Sequence, residues 1–290
     1  MNAPGWSSPG LAPERRRGFP WRTLVFYVVV LPVLLTWLVP LFTAIVTSLR
    51  TLDDLISHGP WRMPDPLVWS NFPEAWNEGG LSRYMANSFI ITIPALIATL
   101  LLSSMAAFAL ARFRFRGNLP IYFIFVAGTL LPYQILMLPV FRLSNWLGLY
   151  DSYWALIVFH TAFQLGFCTF VLRNFMTTIP GEIFDAARID GAGEWRIFRQ
   201  HALPLSLPSL AALATLEFTW IFNDYLWALI LVQQDDLKPV TTGLASLMGE
   251  YQRSWNVLFA GTLIAVIPTV LLFIFLQRYF IQGLTMGSGK

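Results

Sequence analysis

The segment Phe184–Pro208 reads FDAARIDGAGEWRIFRQHALPLSLP, and it decides how the chain is organised. It carries charged residues and glycines, yet it lies between two strongly apolar runs, Ser152–Leu172 and Ala202–Gln234. A polar amphipathic segment in that position lies on the surface of a membrane rather than inside it. The sequence therefore predicts a membrane protein with one surface segment that a soluble partner can hold.

The composition of the whole chain is that of a protein solvated partly by lipid. Of its 290 residues, 56% are hydrophobic and only 12% are charged, whereas soluble domains carry about 25% charged residues. The apolar runs are continuous, which disfavours a β-barrel with its alternating strands. The predicted fold class is therefore all-α, a polytopic membrane protein with six transmembrane helices of about 20 residues or more. The six runs are Leu24–Leu49, Tyr84–Ala111, Gly117–Phe141, Ser152–Leu172, Ala202–Gln234 and Ser254–Gln277.

Arginine and lysine are distributed unequally between the two sides that six spans define. With six spans both termini lie on one side, and that side also holds the second and fourth connections, with 13 of the 19 basic residues. Cytoplasmic loops carry the excess of Lys and Arg. Both termini and the segment Phe184–Pro208 are therefore predicted to be cytoplasmic. The net charge of +3 reflects this topology and gives no indication of nucleic-acid binding.

The chain divides into three expected parts. Residues 1–22 form a cytoplasmic N-terminal arm rich in Gly, Pro, Ser and Arg, residues 23–282 form the six-helix transmembrane domain with a surface loop at about 178–204, and residues 283–290 form a cytoplasmic tail. The first apolar run is too long for a signal-peptide core, so we expect an uncleaved helix. The lone Cys168 excludes an intramolecular disulfide and is predicted to be a small buried hydrophobe.

Local signals predict two short helices in the surface loop. Pro180 fits the first turn of a helix, and Glu182 and Asp185 place negative charge near the positive end of its dipole. Gly191 ends this helix, because glycine adopts positive φ without steric cost. A second short helix is expected at about 194–201. The pair forms a helix–turn–helix along the membrane surface.

The same segment resembles the EAA loop of binding-protein-dependent ABC importer permeases. In that loop Glu-Ala-Ala is followed after three residues by Gly, and after nine more residues by Ile-x-Leu-Pro. Three parts of the pattern fall at this spacing here: Asp185-Ala186-Ala187, Gly191 and Leu203-Pro204.

Two positions depart from the family pattern. Asp185 stands where the family has Glu, which keeps the charge with a shorter reach, and His201 stands where it has Ile, which puts one apolar contact in doubt. The resemblance to the carbohydrate branch, the maltose-type permeases with six spans, covers most of the chain from about Asn87. It includes the run Asn223–Trp227, which reads NDYLW.

The resemblance implies the type I ABC importer permease fold and a role in importing a sugar, a di- or oligosaccharide or a related polyol, across a bacterial or archaeal cytoplasmic membrane. It implies no enzymatic activity in this chain, no cofactor and no metal. The implied partners are a second homologous permease, a cytoplasmic ABC ATPase dimer, an extracytoplasmic solute-binding protein, the sugar and membrane lipid. The residues implied to couple the permease to the ATPase are Asp185 as a polar contact, Ala186 and Ala187 as a close-packing face, Gly191 as the turn, and Leu203 and Pro204.

Polar residues inside the predicted spans are candidates for the translocation pathway. Glu217 and Asp224 are the only acidic residues there, and a charge at the bilayer centre costs about 2.5–3.5 kcal/mol, so both should face protein or water. Seven residues apart, they are expected to share one helix face; the alternative role is a structural hydrogen bond between helices. The candidate pathway residues are Glu217, Asn223, Asp224, Tyr225 and Trp227, with His160 and Gln164, one turn apart in the fourth span, as a second candidate pair.

Three other functional classes stay open at this point. An ion-coupled secondary transporter would act alone and would need ionisable groups placed for coupling, which only Glu217, Asp224 and His160 offer. An integral-membrane enzyme would need clustered His, Asp or Glu, whereas the three histidines are far apart in sequence. The nearest alternative is an ABC importer permease of another branch, carrying amino acids or peptides.

Overall fold

A computed structural model describes residues 21–250 and 254–286 of the chain. The predictions for the N-terminal arm before residue 21 and for the tail beyond residue 286 lie outside the described residues. The chain divides into two compact units, residues 1–44 and residues 45–290. The described part of the first unit is a single exposed apolar helix, and the second unit holds the core.

All regular structure in the described residues is helical. Short irregular turns join some of the helices: a 3₁₀ turn at Tyr133–Leu136, a π-helical turn at Phe198–Ala202 and a second 3₁₀ turn at Asp235–Leu237. The α-helices are α1 Trp21–Ser48, α2 Leu52–His58, α3 Asn71–Asn77, α4 Leu81–Arg112, α5 Asn118–Thr129, α6 Met137–Trp146, α7 Tyr153–Thr178, α8 Gly181–Ile189, α9 Glu194–Ile197, α10 Leu203–Leu205, α11 Leu207–Phe222, α12 Leu226–Leu231, α13 Val240–Glu250 and α14 Trp255–Met286.

The spans agree with the predicted number, with two of them broken. Four segments are long and apolar enough to cross a membrane on their own. Two helix pairs meet the same criterion together, bent by 91° and 73°, so the described residues hold six spans when each bent pair is taken as one. The four unbroken segments are Thr23–Ser48, Leu81–Arg112, Tyr153–Thr178 and Trp255–Gln277. The last helix continues to Met286, beyond the expected start of the tail at residue 283.

The third predicted span, Gly117–Phe141, is not one continuous helix. Helix α5 ends at Thr129, and the chain bends by 91° before the segment that begins at Tyr133. Pro132 lies in the bend with an extended backbone, ψ 114°. Proline has no N–H to donate, and it disfavours helical geometry in the residue before it. The predicted span is therefore divided at this proline into two helical segments.

The fifth predicted span, Ala202–Gln234, is also interrupted, by a bend of 73° before α11 and by a break after it. Helix α11 ends at Phe222, and α12 begins at Leu226. Between them, the Asp224 carboxylate accepts hydrogen bonds from the backbone N–H groups of Trp227 at 3.4 Å and Ala228 at 3.1 Å. An Asp side chain that caps a new helix competes with continuation of the old one. The expectation that Glu217 and Asp224 share one helix face is therefore wrong.

A buried arginine, Arg50, stabilises the connection between α1 and α4. Arg50 is 1% exposed; its guanidinium contacts the Asp54 carboxylate and donates to the carbonyl oxygens of Asp54 at 2.9 Å and Gly59 at 2.6 Å. The Asn71 amide donates to the carbonyl oxygen of Ser48 at 2.8 Å. The hydrogen bond from Arg50 holds the pKa of Asp54 below its ordinary value. The short helices α2 and α3 are thus positioned by polar contacts.

Helices α5 and α7 lie close together at Gly166. A Cβ atom added there would lie 2.7 Å from the carbonyl oxygen of Phe125 and 3.1 Å from Thr129 Cγ2. We expect Gly166→Ala to destabilise the protein by about 1–3 kcal/mol, because the backbone of α5 must move to admit the methyl group. The measurement is the thermal unfolding midpoint of the purified protein in detergent.

Gly128→Ala is the matched control for this substitution. Gly128 also lies inside a helix, α5, but a Cβ atom added there meets nothing within 4 Å. It should leave the midpoint unchanged or raise it, because alanine favours the helix over glycine by about 1 kcal/mol. Equal shifts for the two variants would contradict the close-approach argument.

Candidate functional site

The predicted helix–turn–helix is present, and a glycine turn shapes this hairpin of α8 and α9. Helix α8 begins at Gly181, one residue after Pro180, which precedes the helix rather than lying in its first turn. Gly191 has φ +79°, as expected for the residue that ends α8. The N–H of Gly191 donates to the carbonyl oxygen of Arg188 and the N–H of Ala192 to that of Ala187, both at 3.0 Å. This pair of bonds is the Schellman arrangement, which satisfies the last carbonyl groups of a helix.

A three-residue ion-pair network joins the two arms of the hairpin. Arg188 contacts Asp185 at 2.9 Å within α8 and Glu194 at 2.8 Å at the start of α9. Hydrogen bonding to Glu194 is the main cause that raises the pKa of the Arg188 guanidinium above its ordinary value. Asp185, the predicted polar contact for a partner, is exposed and already engaged by Arg188.

The inner face of the hairpin is buried against the transmembrane helices. Phe184 and Ala187 lie in one apolar cluster with Phe108 of α4 and Met176 of α7. Ala187 is therefore an internal packing residue and is not available as a close-packing face for a partner, which corrects the prediction. The outer face is different: Ala186 is exposed, Ile189 is 87% exposed, and Pro204 is exposed while Leu203 is partly buried.

Arg112 connects the end of α4 to the hairpin. Its Nη2 donates to the carbonyl oxygens of Met176 and, at 2.8 Å, Ile179, which lie at the C-terminal end of α7. Its guanidinium carbon also lies 4.0 Å from the centre of the Phe184 ring in α8. Sequence reasoning did not assign a site role to this residue, because nothing in the pattern Arg-Phe-Arg-Phe-Arg distinguishes Arg112 from Arg114 and Arg116.

A cavity of about 610 Å³ lies at the broken end of the fifth span. This volume is within the range of about 300–1,000 Å³ that small-molecule sites occupy. The cavity brings together four of the five predicted pathway residues and the second candidate pair from α7. Its lining is largely aromatic and includes Tyr133, Phe159, His160, Phe163, Gln164, Phe167, Trp220, Asn223, Asp224, Tyr225 and Trp227.

Two polar side chains of the cavity are buried without hydrogen bonds. His160 is 5% exposed and Gln164 is 7% exposed. Neither side chain forms a hydrogen bond within the described residues, although His160 Nε2 lies 3.7 Å from Asp224 Oδ2. Buried polar groups are normally hydrogen-bonded, so these two are expected to bind water or a ligand.

Glu217 does not line this cavity. It is fully buried in α11, and the thiol of Cys168 in α7 donates to its Oε1 at 3.3 Å. Its Oε2 has no partner within the part of the chain that the structure describes. Glu217 therefore links two helices, which is the alternative role considered above for the acidic residues. Cys168 is buried as predicted, but it has a polar partner and is more than a small hydrophobe.

The chain is similar over most of its length to known transport proteins. Residues 99–286 match the family described as "Binding-protein-dependent transport system inner membrane component". The "Arabinooligosaccharides transport system permease protein AraQ" of Halalkalibacterium halodurans is 38% identical over 254 residues, 87% of this chain and 90% of the relative. The "Diacetylchitobiose uptake system permease protein NgcG" of Streptomyces coelicolor is 33% identical over 87% of this chain and 83% of the relative.

Solved structures show the same fold. A chain of a bacterial ABC transporter involved in the import of the acidic polysaccharide alginate superposes with a TM-score of 0.82 at 22% identity, covering 93% of this chain and all of that chain. The predicted type I permease fold is thereby confirmed. Together with the six apolar spans and the EAA-like hairpin, these matches show that the chain belongs to the family of binding-protein-dependent transport system inner membrane components, as a membrane-spanning ABC importer permease.

Proposed function

We propose that this chain is the permease subunit of an ATP-driven importer that moves a di- or oligosaccharide across the cytoplasmic membrane. The observation that carries the proposal is the surface hairpin of α8 and α9, with its glycine turn and its exposed outer face. The names of the relatives favour a sugar substrate, since the two compared above handle arabinooligosaccharides and diacetylchitobiose.

The hairpin is proposed to bind a separate cytoplasmic ATPase dimer. Its outer face combines the exposed Asp185 and Ala186 with the apolar side chain of Ile189, which no residue in the described part of the chain covers. Such a mixed face suits a protein partner. Movement of the hairpin would reach the spans through its inner face, where Phe184 packs on α4 and α7. In this proposal Gly191, Leu203 and Pro204 act by setting the shape of the hairpin, and direct contact with the partner is made by other residues.

The remaining partners follow from the same proposal. A second homologous permease would complete the pathway, and an extracytoplasmic solute-binding protein would deliver the sugar, in keeping with the description of the family. Asn223, Asp224, Tyr225 and Trp227 are proposed to line the pathway, because they surround the cavity. Glu217 is assigned to helix packing in this proposal.

Uptake by the reconstituted complex tests the proposal. The permease, its partner permease and the ATPase are placed in proteoliposomes with ATP at the ATPase side, and a panel of radiolabelled oligosaccharides is supplied with the binding protein on the other side. We expect uptake that requires ATP and resists a protonophore. Uptake that continues without ATP and stops with the protonophore would instead identify an ion-coupled transporter.

Orientation can be tested with introduced cysteines, since both termini and the hairpin are proposed to be cytoplasmic. The single natural cysteine, Cys168, is buried and should not react. Gln200 follows α9 and Gln233 follows α12, and both are exposed. In intact cells a membrane-impermeant maleimide should label Gln233→Cys and leave Gln200→Cys unlabelled until the membrane is opened. The reverse pattern would place the hairpin on the outer side and exclude the proposed coupling.

A further inference from the structure

The cavity beside α11 contains polar groups that call for a hydroxylated ligand. His160 and Gln164 lie one turn apart on α7, each more than nine-tenths buried, and neither forms a hydrogen bond within the described residues. Both line the cavity. An imidazole and a carboxamide each offer donors and acceptors, and leaving them unpaired when buried is unfavourable. Sugar hydroxyl groups, which both donate and accept, match this pair.

The cavity also offers flat aromatic faces for a sugar ring. Trp220 is 51% exposed and Tyr225 is 44% exposed, and both line the cavity. Phe159 and Trp227 also line the cavity, and their rings pack on each other with centroids 3.8 Å apart. The face of an aromatic ring carries partial negative charge, so it attracts the weakly positive C–H groups on one side of a pyranose ring.

The described lining of the cavity has a negatively charged side chain but no lysine or arginine. Among the described residues that line the cavity, Asp224 is the only carboxylate. Two backbone N–H groups at the start of α12 hold the Asp224 side chain in place. A carboxylate and electron-rich ring faces in a partly dehydrated cavity repel an anion more strongly than they do in water. Among the described lining residues His160 is the only basic side chain, and its Nε2 lies 3.7 Å from Asp224 Oδ2.

We infer that this cavity holds a ring of an uncharged sugar and rejects acidic sugars, with Asp224 as the side chain that sets the charge preference. The inference rests on the proposed function and adds the substrate class. It separates this chain from the structural neighbour that is involved in the import of an acidic polysaccharide, since a likeness at 22% identity carries the fold and not the substrate.

Equilibrium binding to the purified complex, without its binding protein, tests the inference. The probes are galactotriose and trigalacturonate, which differ in having a hydroxyl or a carboxylate group at C6, and tryptophan fluorescence reports occupancy. We expect the wild-type complex to bind galactotriose about tenfold or more tightly than trigalacturonate, a difference of about 1.4 kcal/mol. Asp224→Asn should reduce this ratio by about tenfold, because the amide oxygen can still cap α12 while the charge is gone.

Two kinds of variant separate the charge effect from general damage. Asp53→Asn removes an exposed carboxylate in α2, outside the cavity, and should leave the ratio unchanged. Gln164→Ala should weaken binding of galactotriose and of trigalacturonate alike and keep their ratio. An unchanged ratio in Asp224→Asn, equal wild-type binding of the two probes, or no binding of either would overturn the inference. ATP-driven uptake measured on the same complex tests the proposed function separately, because an active importer with an unchanged ratio disproves only the charge preference.

Discussion

Replacing Gly191 by valine is expected to reduce ATP-driven uptake by about tenfold or more. Gly191 has φ +79°, a region that costs a side-chain-bearing residue about 1–3 kcal/mol and is least accessible to a β-branched one. No atom lies within 4 Å of the Cβ position, so the effect comes from the backbone and not from a clash. To relieve the strain the turn must open, and α9 then moves relative to α8. The measurements are the initial uptake rate in proteoliposomes and the amount of ATPase that co-purifies.

Gly193→Val is the control for this variant. Gly193 lies two residues further along the same turn, with φ −69° and ψ 159°, a conformation that valine adopts readily. Its Cβ position is equally free of neighbours within 4 Å. Uptake by Gly193→Val should therefore stay close to that of the wild type. If Gly191→Val transports normally, the turn geometry does not matter for coupling and the assignment of the hairpin is wrong.

The second large effect is expected for Arg112→Ala. The variant removes the side-chain donor of the Ile179 carbonyl oxygen, and it leaves the Met176 carbonyl oxygen with only the backbone N–H of Ile179 at 3.4 Å. The expected cost is about 1–3 kcal/mol, or roughly fivefold and more in an equilibrium. It also removes the guanidinium that lies on the Phe184 ring. Because these contacts join α4 and α7 to the hairpin, we expect ATP hydrolysis to persist while sugar imported per ATP hydrolysed falls severalfold. Uptake and phosphate release are measured in the same proteoliposomes.

Arg114→Ala is the matched control for Arg112→Ala. Arg114 lies two residues away in the same connection and is exposed, so both variants remove one positive charge from the same side of the membrane. Any effect of that charge on topology is common to the two. Equal losses of uptake per ATP in the two variants would mean that Arg112 acts only through its charge, against the contact-based explanation.

The hydrophobicity along the sequence locates the spans, but it does not show where they bend. Hydrophobicity measures which segments lipid can solvate, and it is indifferent to a break inside an apolar run. The bend at Pro132 had a signal in the sequence, because proline interrupts helical hydrogen bonding. The break before Leu226 had one too, since Asp224 is a preferred residue at the start of a helix. Both signals are local, so they mark where a helix can break but not the angle between its two halves.

In the hairpin and the cavity, too, the sequence predicts local features but not the contacts between residues that are far apart in the chain. The turn at Gly191 follows from local backbone chemistry, so the sequence predicts it correctly. Ala187 could have been assigned to the inner face, because it lies three residues after Phe184 on the same side of the helix. The contacts of Glu217 with Cys168 and of Arg112 with the end of α7 join residues about 49 and more positions apart. No local pattern reports such pairs.

The ion pairs of Arg188 also have a consequence for how the hairpin binds a partner. Asp185 and Glu194 contact the same guanidinium from both arms, which favours one orientation of the two short helices relative to each other. A surface that is already ordered loses less conformational entropy when it docks. High ionic strength screens such exposed pairs. It should therefore loosen the contact between α8 and α9 at salt concentrations that leave the apolar core beneath the hairpin intact.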